Sequence, residues 1–562
     1  MADPDALAPP TTPTTPTTPT TPTTPTVSPT AIKTLRFNWA DGPGETEYRL
    51  LENPDGTSGY IQVAALPADT TQHDLEVFLP ERLNASYILQ ACNSAGCADS
   101  AAVHVAGQVA PAIGYVKASN TDQGDRFGTS LALSADGQTL AIGAPSERSA
   151  STNPLDNNGS DNGAVYLFTR SGDAWQQRAY IKASNTDQGD RFGTSLALSA
   201  DGQTLAIGAD SEDSASTNPL DNSGWDNGAV YVFTHSGDAW QQQAYLKASN
   251  TDQSDRFGTS LALSADGQTL AIGAPRERST STNPLDDSGW DNGAVYLFTR
   301  SGDAWQQQAY LKASVPDQND RFGASLALSA DGQTLAIGAD GDDGASTDPL
   351  DDSGSGNGAV YVFTRSGVAW QQQAYLKASV TDQHDRFGTS LTLSADGQTL
   401  AIGADGENSA NTDPLDNRGS DNGAVYIFTR SGEAWQQRAY LKASVTDQHD
   451  RFGTSLALSA DGQTLAIGAD GENSASTDPL DNSGPESGAV YVFTRSGEAW
   501  QQQAYLKASV IDQNDRFGIS LALSADGQTL AIGADQESSA ATGIGGNPSD
   551  NSKSASGAVY LF

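Results

Sequence analysis

From residue 113 to the end of the chain, short runs of alternating apolar and polar residues recur at a fixed spacing. The pair Phe-Gly occurs seven times at intervals of 65 residues, first at Phe127, and all seven copies contain the string LSADGQTLAIGA. Each copy offers four strand-like runs, which in the first copy are FGTSLALS, TLAIGA, GAVYLFTR and AWQQRAYIKAS. Asp136-Gly137, between the first two runs, suits a tight hairpin. Seven copies of four short antiparallel strands predict an all-β chain whose main part, residues 108–562, is a seven-bladed β-propeller.

The copies are offset in a way that predicts a closed ring. The fourth-strand pattern Trp-x-x-x-x-Tyr begins at six positions, the first Trp175 and the last Trp500, because the seventh copy ends at Phe562 after its third strand. The missing strand stands at the start of the region instead, as IGYVKAS at 113–119. An N-terminal strand that completes the last blade joins the two ends of the repeat region, and an open solenoid would have no use for it.

Residues 31–107 contain shorter alternating runs, such as LRFNWAD, YIQVAAL and ASYILQAC, separated by the turn signals DGPG, NPDG and LPAD. This pattern predicts a small antiparallel β-sandwich with Trp39, Tyr48 and Tyr87 as core aromatics.

Residues 1–30 are dominated by a Thr-Pro repeat that offers nothing for a core. The repeat predicts an extended, polyproline-like stalk that holds the domains away from a surface, and the alternative is an ordinary linker.

The chain of 562 residues carries 30 Lys and Arg against 69 Asp and Glu, a net charge of −39. This balance argues against binding to nucleic acid or anionic lipid, which requires basic patches, and favours divalent cations or basic partners. No run of about 18 apolar residues predicts a transmembrane segment. The start shows no signal-peptide pattern. With the stalk, these features predict a mature extracellular or cell-surface chain whose signal or anchor is not in this sequence.

The predicted sandwich resembles a fibronectin type III domain, through the early Trp39 and the pattern Y-x-x-x-A-x-N-x-x-G that begins at Tyr87. That resemblance implies a spacer or binding module without chemistry. It also places Cys92 and Cys97 on either side of the last hairpin, where they form a local disulfide or remain two free thiols.

The seven copies resemble the FG-GAP repeat of integrin α-subunit propellers, through Phe127-Gly128 at the first strand and Gly-Ala-Pro after the second. The first and third copies keep the proline, as Pro145 and Pro275, and the others have Asp there. Such repeats often carry a calcium loop of the form DxDxDGxxD between strands one and two. Here that connection keeps only Asp136, so the family's metal site is not carried over.

A four-stranded blade places two of its connections on one face of the ring: the 2→3 loop, from strand two to strand three, and the 4→1 loop, from strand four to the first strand of the next blade. Most of the acidic residues lie in these two loops. One prediction is calcium, held by oxygens of the 2→3 loops with help from the Asp-x-x-Asp pair, such as Asp122 and Asp125. The alternative is turn chemistry, because Asp bonds readily to its own backbone. The candidate calcium ligands are Asp156, Asn158, Asp161, Asp221, Asp226, Asp286, Asp291, Asp416 and Asp421.

Two copies place tryptophan in the 2→3 loop, as Trp225 and Trp290, both within SGWDNG. A tryptophan near the tip of a polar loop predicts a contact with a sugar or a protein partner, and the alternative is packing between neighbouring loops.

No repeat position is common to the five histidines, although His384 and His449 share one, and no nucleophile elbow, P-loop or dinucleotide fingerprint occurs. The predicted function is therefore non-enzymatic: adhesion to, or recognition of, a protein or glycan ligand on a surface. One alternative is a self-assembling surface-layer, sheath or filament component. Another is a hydrolase or lyase that uses acids of the loop face.

Overall fold

A computed structural model describes residues 17–172, 174–236 and 239–562. The chain divides into two compact units at Ala112/Ile113, close to the predicted boundary at residue 107. Within the described residues, no helix has the length and hydropathy needed to cross a membrane.

The first unit is a sandwich of two antiparallel sheets. One sheet has the strand order β1-β2-β5, and the other has the order β4-β3-β6-β7, with β8 also paired to β6. The strands are β1 (Thr26–Ala31), β2 (Thr34–Asn38), β3 (Glu47–Asn53), β4 (Ile61–Pro67), β5 (Gln72–Glu76), β6 (Ser86–Asn93), β7 (Gly96–Asp99) and β8 (Val103–His104). Two single 3-10 turns accompany them, Leu79–Glu81 and Ala110–Ala112.

The predicted aromatics form the core of this sandwich. Trp39 and Tyr48 pack edge to face with ring centroids 5.7 Å apart. Tyr87 packs against Phe37 at 4.7 Å. Cys92 and Cys97 are paired across the β6–β7 hairpin and joined by a disulfide. The assignment of this unit to the fibronectin type III family stays a prediction.

Residues 1–16 of the predicted stalk lie outside the described residues, residues 17–25 belong to no helix or strand, and residues 26–30 form part of β1. Pro19, Pro22 and Pro25 are buried, whereas the threonines between them are exposed. A polyproline helix has three residues per turn, so a Thr-Thr-Pro repeat places every proline on one side, where it can pack. The chain then continues as the edge strand β1, a position where Pro29 is tolerated because an edge strand has a free N–H side.

The second unit is a propeller of seven four-stranded antiparallel sheets, six of which follow the order of the chain, whereas the seventh has the order β34-β35-β36-β9. A short strand, β9 (Gly114–Val116), precedes the first blade. Blades 1 to 3 contain β10 (Ser130–Leu133), β11 (Thr139–Ala144), β12 (Ala164–Ser171), β13 (Ala174–Ile181), β14 (Ser195–Leu198), β15 (Thr204–Ala209), β16 (Ala229–Ser236), β17 (Ala239–Leu246), β18 (Ser260–Leu263), β19 (Thr269–Ala274), β20 (Ala294–Ser301) and β21 (Ala304–Leu311).

Blades 4 to 7 repeat this pattern to the end of the chain. They contain β22 (Ser325–Leu328), β23 (Thr334–Ala339), β24 (Ala359–Ser366), β25 (Ala369–Leu376), β26 (Ser390–Leu393), β27 (Thr399–Ala404), β28 (Ala424–Ser431), β29 (Ala434–Leu441), β30 (Ser455–Leu458), β31 (Thr464–Ala469), β32 (Ala489–Ser496), β33 (Ala499–Leu506), β34 (Ser520–Leu523), β35 (Leu530–Ala534) and β36 (Ala558–Leu561).

The predicted ring closure is confirmed. The N-terminal strand β9 pairs with β36 and supplies the outer strand of blade 7, with Tyr115 opposite Tyr560. A cycle of backbone hydrogen bonds joins the first hairpin of each blade to the next. Ala135 N–H donates to Ala200 O at 3.0 Å, and the last member, Ala525 N–H, donates back to Ala135 O at 2.9 Å.

The first strand of each blade begins later than the alternating pattern predicts. Arg126 has a φ of 56° and Gly128 a φ of 95°, so the backbone bends on both sides of Phe127 before β10 begins at Ser130. Phe127 is nevertheless fully buried. The Phe-Gly pair therefore places an aromatic anchor at the entry to the strand rather than within it.

The hydrophobic core lies between neighbouring blades. Val230 and Val232 of blade 2 pack against Phe257, Ile272 and Tyr296 of blade 3. The rings of Phe257 and Tyr296 meet edge to face at 5.3 Å. Because neighbouring blades pack on one another in this way, the apolar sheet faces of the described blades are covered by their neighbours.

Substitutions at two glycines of blade 3 test how closely the backbones of neighbouring blades approach each other. Both have positive φ, 80° at Gly293 and 63° at Gly302, but only Gly293 faces a neighbouring backbone: a Cβ there would lie 2.2 Å from Phe322 O. We expect Gly302→Ala to cost about 1 kcal/mol through φ alone and Gly293→Ala at least about 3 kcal/mol through the added clash. Guanidinium unfolding of the full chain measures both, and equal losses would contradict the proposed close approach.

Candidate ligand-binding face

The 2→3 and 4→1 loops interlock on one side of the ring, which we call the loop face. The 2→3 loop of blade 2 accepts three backbone hydrogen bonds from the loop that leads into blade 3. Ser254 N–H donates to Trp225 O at 2.8 Å, Arg256 N–H to Asp226 O at 3.1 Å and Phe257 N–H to Asn227 O at 3.1 Å. Equivalent bonds join the other blades. The loop face is thus a continuous surface whose backbone is held in place.

A buried lysine–carboxylate pair anchors each 2→3 loop. In blade 3, Lys312 Nζ lies 2.9 Å from Glu277 Oε2 and donates to Gly293 O at 2.5 Å, so one ammonium ties both ends of the loop to the fourth strand. Burial lowers the pKa of Lys312, and the Glu277 carboxylate opposes this shift. The seven pairs are Lys117–Glu537, Lys182–Glu147, Lys247–Glu212, Lys312–Glu277, Lys377–Asp342, Lys442–Glu407 and Lys507–Glu472.

The second acid of each Asp-x-x-Asp pair is buried beside this anchor. Asp255 is 1% exposed, and neither of its carboxylate oxygens has a hydrogen-bond partner among the described residues. Burial, together with the nearby Glu277 carboxylate, raises the pKa of Asp255 to about 9. The other six, whose pKa values burial raises to about 7 or 8, are Asp125, Asp190, Asp320, Asp385, Asp450 and Asp515.

The candidate ligand-binding tryptophans project from the loop face. Trp225 is 68% exposed and Trp290 is 64% exposed. Their backbones are fixed, because Trp225 O and Trp290 O each accept a hydrogen bond from the adjacent 4→1 loop. They belong to adjacent blades, so both stand on one side of the ring. The equivalent positions hold Ser160, Ser355, Ser420 and Pro485.

Sequence reasoning missed a second set of exposed apolar side chains on the same loops. Six leucines that follow proline in the 2→3 loops are each at least 74% exposed: Leu155, Leu220, Leu285, Leu350, Leu415 and Leu480. The seventh loop has Ser549 there. The sequence feature that could have revealed them is the Pro-Leu-Asp triplet, which recurs in six loops that are otherwise polar.

The first acid of each candidate calcium loop is engaged in its own turn. Asp286 Oδ2 accepts from Thr280 and Ser281, both at 2.9 Å. These bonds and one from Ser288, the strongest contribution, lower the pKa of Asp286 to about 2. The equivalent acids also accept bonds within their loops: Asp156 from Ser151 and Asn158, Asp221 from Ser223, and Asp416 from Asn411.

The second acid of each loop has a conformational role. Asp161, Asp226, Asp291 and Asp421 all have φ between 48° and 50°, and Gly356, with a φ of 56°, replaces them in blade 4. Asp tolerates this left-handed conformation better than most residues, which explains its recurrence as turn chemistry. Among the described residues, the one group of three metal-type ligands that converges is Asp41, Glu45 and Asp69 in the sandwich. Calcium binding at the loop acids, Asn158 and the loop carbonyls stays a prediction.

Arginines and carboxylates alternate where the 4→1 loops enter the first strands. We call these groups the arginine–carboxylate ring, and sequence reasoning did not identify it. Each Asp lies between the arginine of its own blade and that of the next: Asp470 is 3.2 Å from Arg451 and 2.6 Å from Arg516. The members are Arg126, Arg191, Arg256, Arg321, Arg386, Arg451 and Arg516, with Asp210, Asp340, Asp405, Asp470 and Asp535.

The chain belongs to the FG-GAP repeat family. The family model matches residues 115–168, 175–233, 240–298, 305–363, 370–428, 435–493 and 500–562, which confirms all seven repeats. The prediction of a seven-bladed propeller of this type is thus confirmed.

A curated relative extends this result. The chain is 29% identical over 227 residues to integrin alpha-D of Homo sapiens, a match that covers 37% of this chain and 17% of that protein. The chain therefore spans less than one fifth of the length of this relative. The repeat region of the chain is thus similar in part to an integrin α subunit.

Two solved structures overlap the chain loosely. The periplasmic gluconolactonase PpgL of Pseudomonas aeruginosa is 14% identical, with a TM-score of 0.40 over 82% of this chain and 95% of that one. The RRP9 WD40 repeats are 11% identical, with a TM-score of 0.42 over 80% of this chain and 96% of that one. Overlaps of this size carry no argument about function.

The buried aspartates predict a stability that falls as the pH rises. A carboxyl whose folded pKa is raised stabilises the fold below its unfolded pKa of about 4, and this contribution is lost as the pH rises through the folded pKa. We therefore expect the full chain to melt lower at pH 9 than at pH 5. Asp255→Asn, which keeps the buried group neutral, should flatten the profile by at least about 1 kcal/mol. Asp303→Asn, at a side chain that is 92% exposed, is the control. Equal profiles for the two variants would contradict the assignment.

Proposed function

We propose that this chain is a non-enzymatic adhesion or recognition protein that binds its ligand on the loop face. One observation carries the proposal: two tryptophans, each about two-thirds exposed, project from the loops of adjacent blades on a backbone that hydrogen bonds hold in place. Family membership and the similarity to integrin alpha-D support it.

The physical reason is preorganisation. Exposed tryptophan offers a large, flat, apolar surface with few rotatable bonds, and residues of this kind dominate binding energy at interfaces. Hydrogen bonds to Trp225 O and Trp290 O fix the loops before any ligand arrives, so little conformational entropy remains to be lost on binding. The ligand is a protein or a glycan on a surface.

We place the chain outside the cell or at the cell surface. The similarity to integrin alpha-D and the Cys92–Cys97 disulfide support this location, since disulfides persist in oxidising compartments.

The tryptophan hypothesis has a natural set of variants. Trp225→Ser and Trp290→Ser introduce the residue that three other blades already have, so folding should be preserved. We expect the double variant to bind at least about tenfold more weakly to immobilised matrix proteins or glycans that retain the full chain. Leu415→Ser, which removes an equally exposed apolar side chain from blade 5, should bind normally. Unchanged binding by the double variant would overturn the hypothesis.

Calcium bracing of the loops stays a prediction. Coordination would require acids such as Asp286 to exchange their present hydrogen bonds for an ion. If calcium is bound, saturating calcium should raise the melting temperature of the full chain above that in chelator and give a saturable heat by calorimetry. An unchanged melting temperature without heat would reject the prediction.

The exposed leucines favour the second candidate, self-assembly. A circle of six apolar side chains on acidic loops is a repeated contact that a second copy could cover. Light scattering of the full chain at high concentration tests this. Oligomers that disappear when the six leucines are replaced by the serine found in blade 7 would support assembly, and a monomer at all concentrations would reject it.

A further inference from the structure

The arginine–carboxylate ring is incomplete at two positions. Blades 1 and 3 have Pro145 and Pro275 where the other five blades have the bridging aspartate. By the pattern of the ring, an aspartate at position 275 would lie between Arg256 of its own blade and Arg321 of the next. Position 145 has the same relation to Arg126 and Arg191. Seven arginines thus share five carboxylates, which leaves a positive excess within a protein of net charge −39.

The arginines of the two proline blades have no ring carboxylate at hydrogen-bond distance, and Arg191, which also lies beside Pro145, is 3.7 Å from Asp210. Arg126 and Arg256, the arginines of the two proline blades, have their nearest ring carboxylates at 3.9 Å. Those distances exceed hydrogen-bond length. In contrast, Arg321 lies 3.0 Å from Asp340 and Arg516 lies 2.6 Å from Asp470. Of the two arginines beside position 275, Arg256 has carboxylates of Asp210 and Asp226 no closer than 3.9 Å, so its guanidinium donors stay available for another carboxylate. Arg321 already donates to Asp340 through Nη1 and offers its remaining N–H groups.

The two arginines next to position 275 are also bonded to the loops that carry the exposed tryptophans. Trp225 directly precedes Asp226, whose carbonyl accepts from Arg256 N–H at 3.1 Å. Trp290 directly precedes Asp291, whose carbonyl accepts from Arg321 N–H at 2.9 Å. Each arginine next to Pro275 is thus linked through its backbone to a loop that presents a tryptophan.

Position 145 lacks this setting and provides an internal comparison. The 2→3 loop of blade 1 has Ser160 at the tryptophan position. Blade 3 also adds an exposed Arg276 directly after its proline, where blade 1 has Ser146. Arginine, aromatic surface and a missing carboxylate coincide at position 275 alone.

We propose that the junction formed by Arg256, Pro275 and Arg321, with Trp225 and Trp290 beside it, binds a sugar that carries one carboxylate, such as a hexuronate. The carboxylate of the ligand takes the bridging place between the two arginines, where planar guanidinium groups favour paired contacts. The apolar face of the pyranose ring packs on an exposed indole.

The acidic surroundings select a sugar over an acidic peptide. Asp226 and Asp291 directly follow the tryptophans, and a carboxylate is a strong acceptor for the hydroxyl groups of a sugar. A hydroxyl-rich ring with a single charge satisfies both these acceptors and the arginines. A chain with several acidic groups would meet repulsion from the rest of the loop face. The inference rests on the proposed function, since it identifies the ligand class of the same tryptophans.

Sodium glucuronate, titrated into the full chain at constant ionic strength, tests the proposal through tryptophan fluorescence. We expect saturable quenching, with methyl glucoside binding at least about tenfold more weakly because it lacks the carboxylate. Pro275→Asp fills the bridging place with the residue that five blades already carry. It should weaken glucuronate binding at least about tenfold, whereas Pro145→Asp should leave it within about twofold.

Three results would overturn the proposal: no saturable glucuronate binding, equal binding of methyl glucoside, or equal effects of Pro275→Asp and Pro145→Asp. Stronger binding of N-acetyl-aspartate amide than of glucuronate would also overturn it in favour of an acidic peptide. Trp225→Ser with Trp290→Ser separates this inference from the proposed function. If that double variant loses surface binding but glucuronate does not bind to the unmodified chain, the proposed recognition function is supported and the proposed sugar class is rejected.

Discussion

The buried lysine–carboxylate pair of each blade determines the geometry of the loop face. In blade 3, the ammonium of Lys312 bonds to Glu277, near the start of the 2→3 loop, and to Gly293 O at its end. Loss of one partner from a buried pair leaves an uncompensated charge that typically costs about 3–5 kcal/mol. In blade 7 the ammonium comes from Lys117, just after the N-terminal closing strand, so ring closure and loop anchoring there depend on the same segment.

On this uniform scaffold, function depends on the positions where the blades differ. The anchors and first hairpins are nearly identical in all blades, whereas Trp225, Trp290, Pro145, Pro275 and Arg276 occur within blades 1 to 3 only. These residues turn one sector of an acidic face into an aromatic and cationic one. In the proposed function, a seven-fold ring thereby has a single asymmetric site, whereas the exposed leucines recur in six blades, those with the tryptophans included.

The sequence predicted the features that recur with a fixed period or that close the ring. Phe127 and its equivalents gave the repeat, and the displaced strand at 113–119 gave the closure. It could not predict contacts between distant residues: Lys312 lies in an ordinary strand pattern, and only the fold brings Glu277, 35 residues earlier, to its ammonium. In the arginine–carboxylate ring, Arg516 of blade 7 likewise pairs with Asp470 of the neighbouring blade 6. The buried prolines 19, 22 and 25 were missed because their partner surface belongs to the sandwich.

Amide hydrogen exchange on the full chain tests the central claim most directly, namely that the loop face is held in place before ligand binding. The amides of Ser254, Arg256 and Phe257 donate across the loops and lie on a backbone fixed by the buried anchors. The account predicts that peptides covering these residues are protected nearly as well as those from the blade strands. Exchange as fast as that of unprotected loops would contradict it, since the tryptophans would then have no fixed arrangement to offer a ligand.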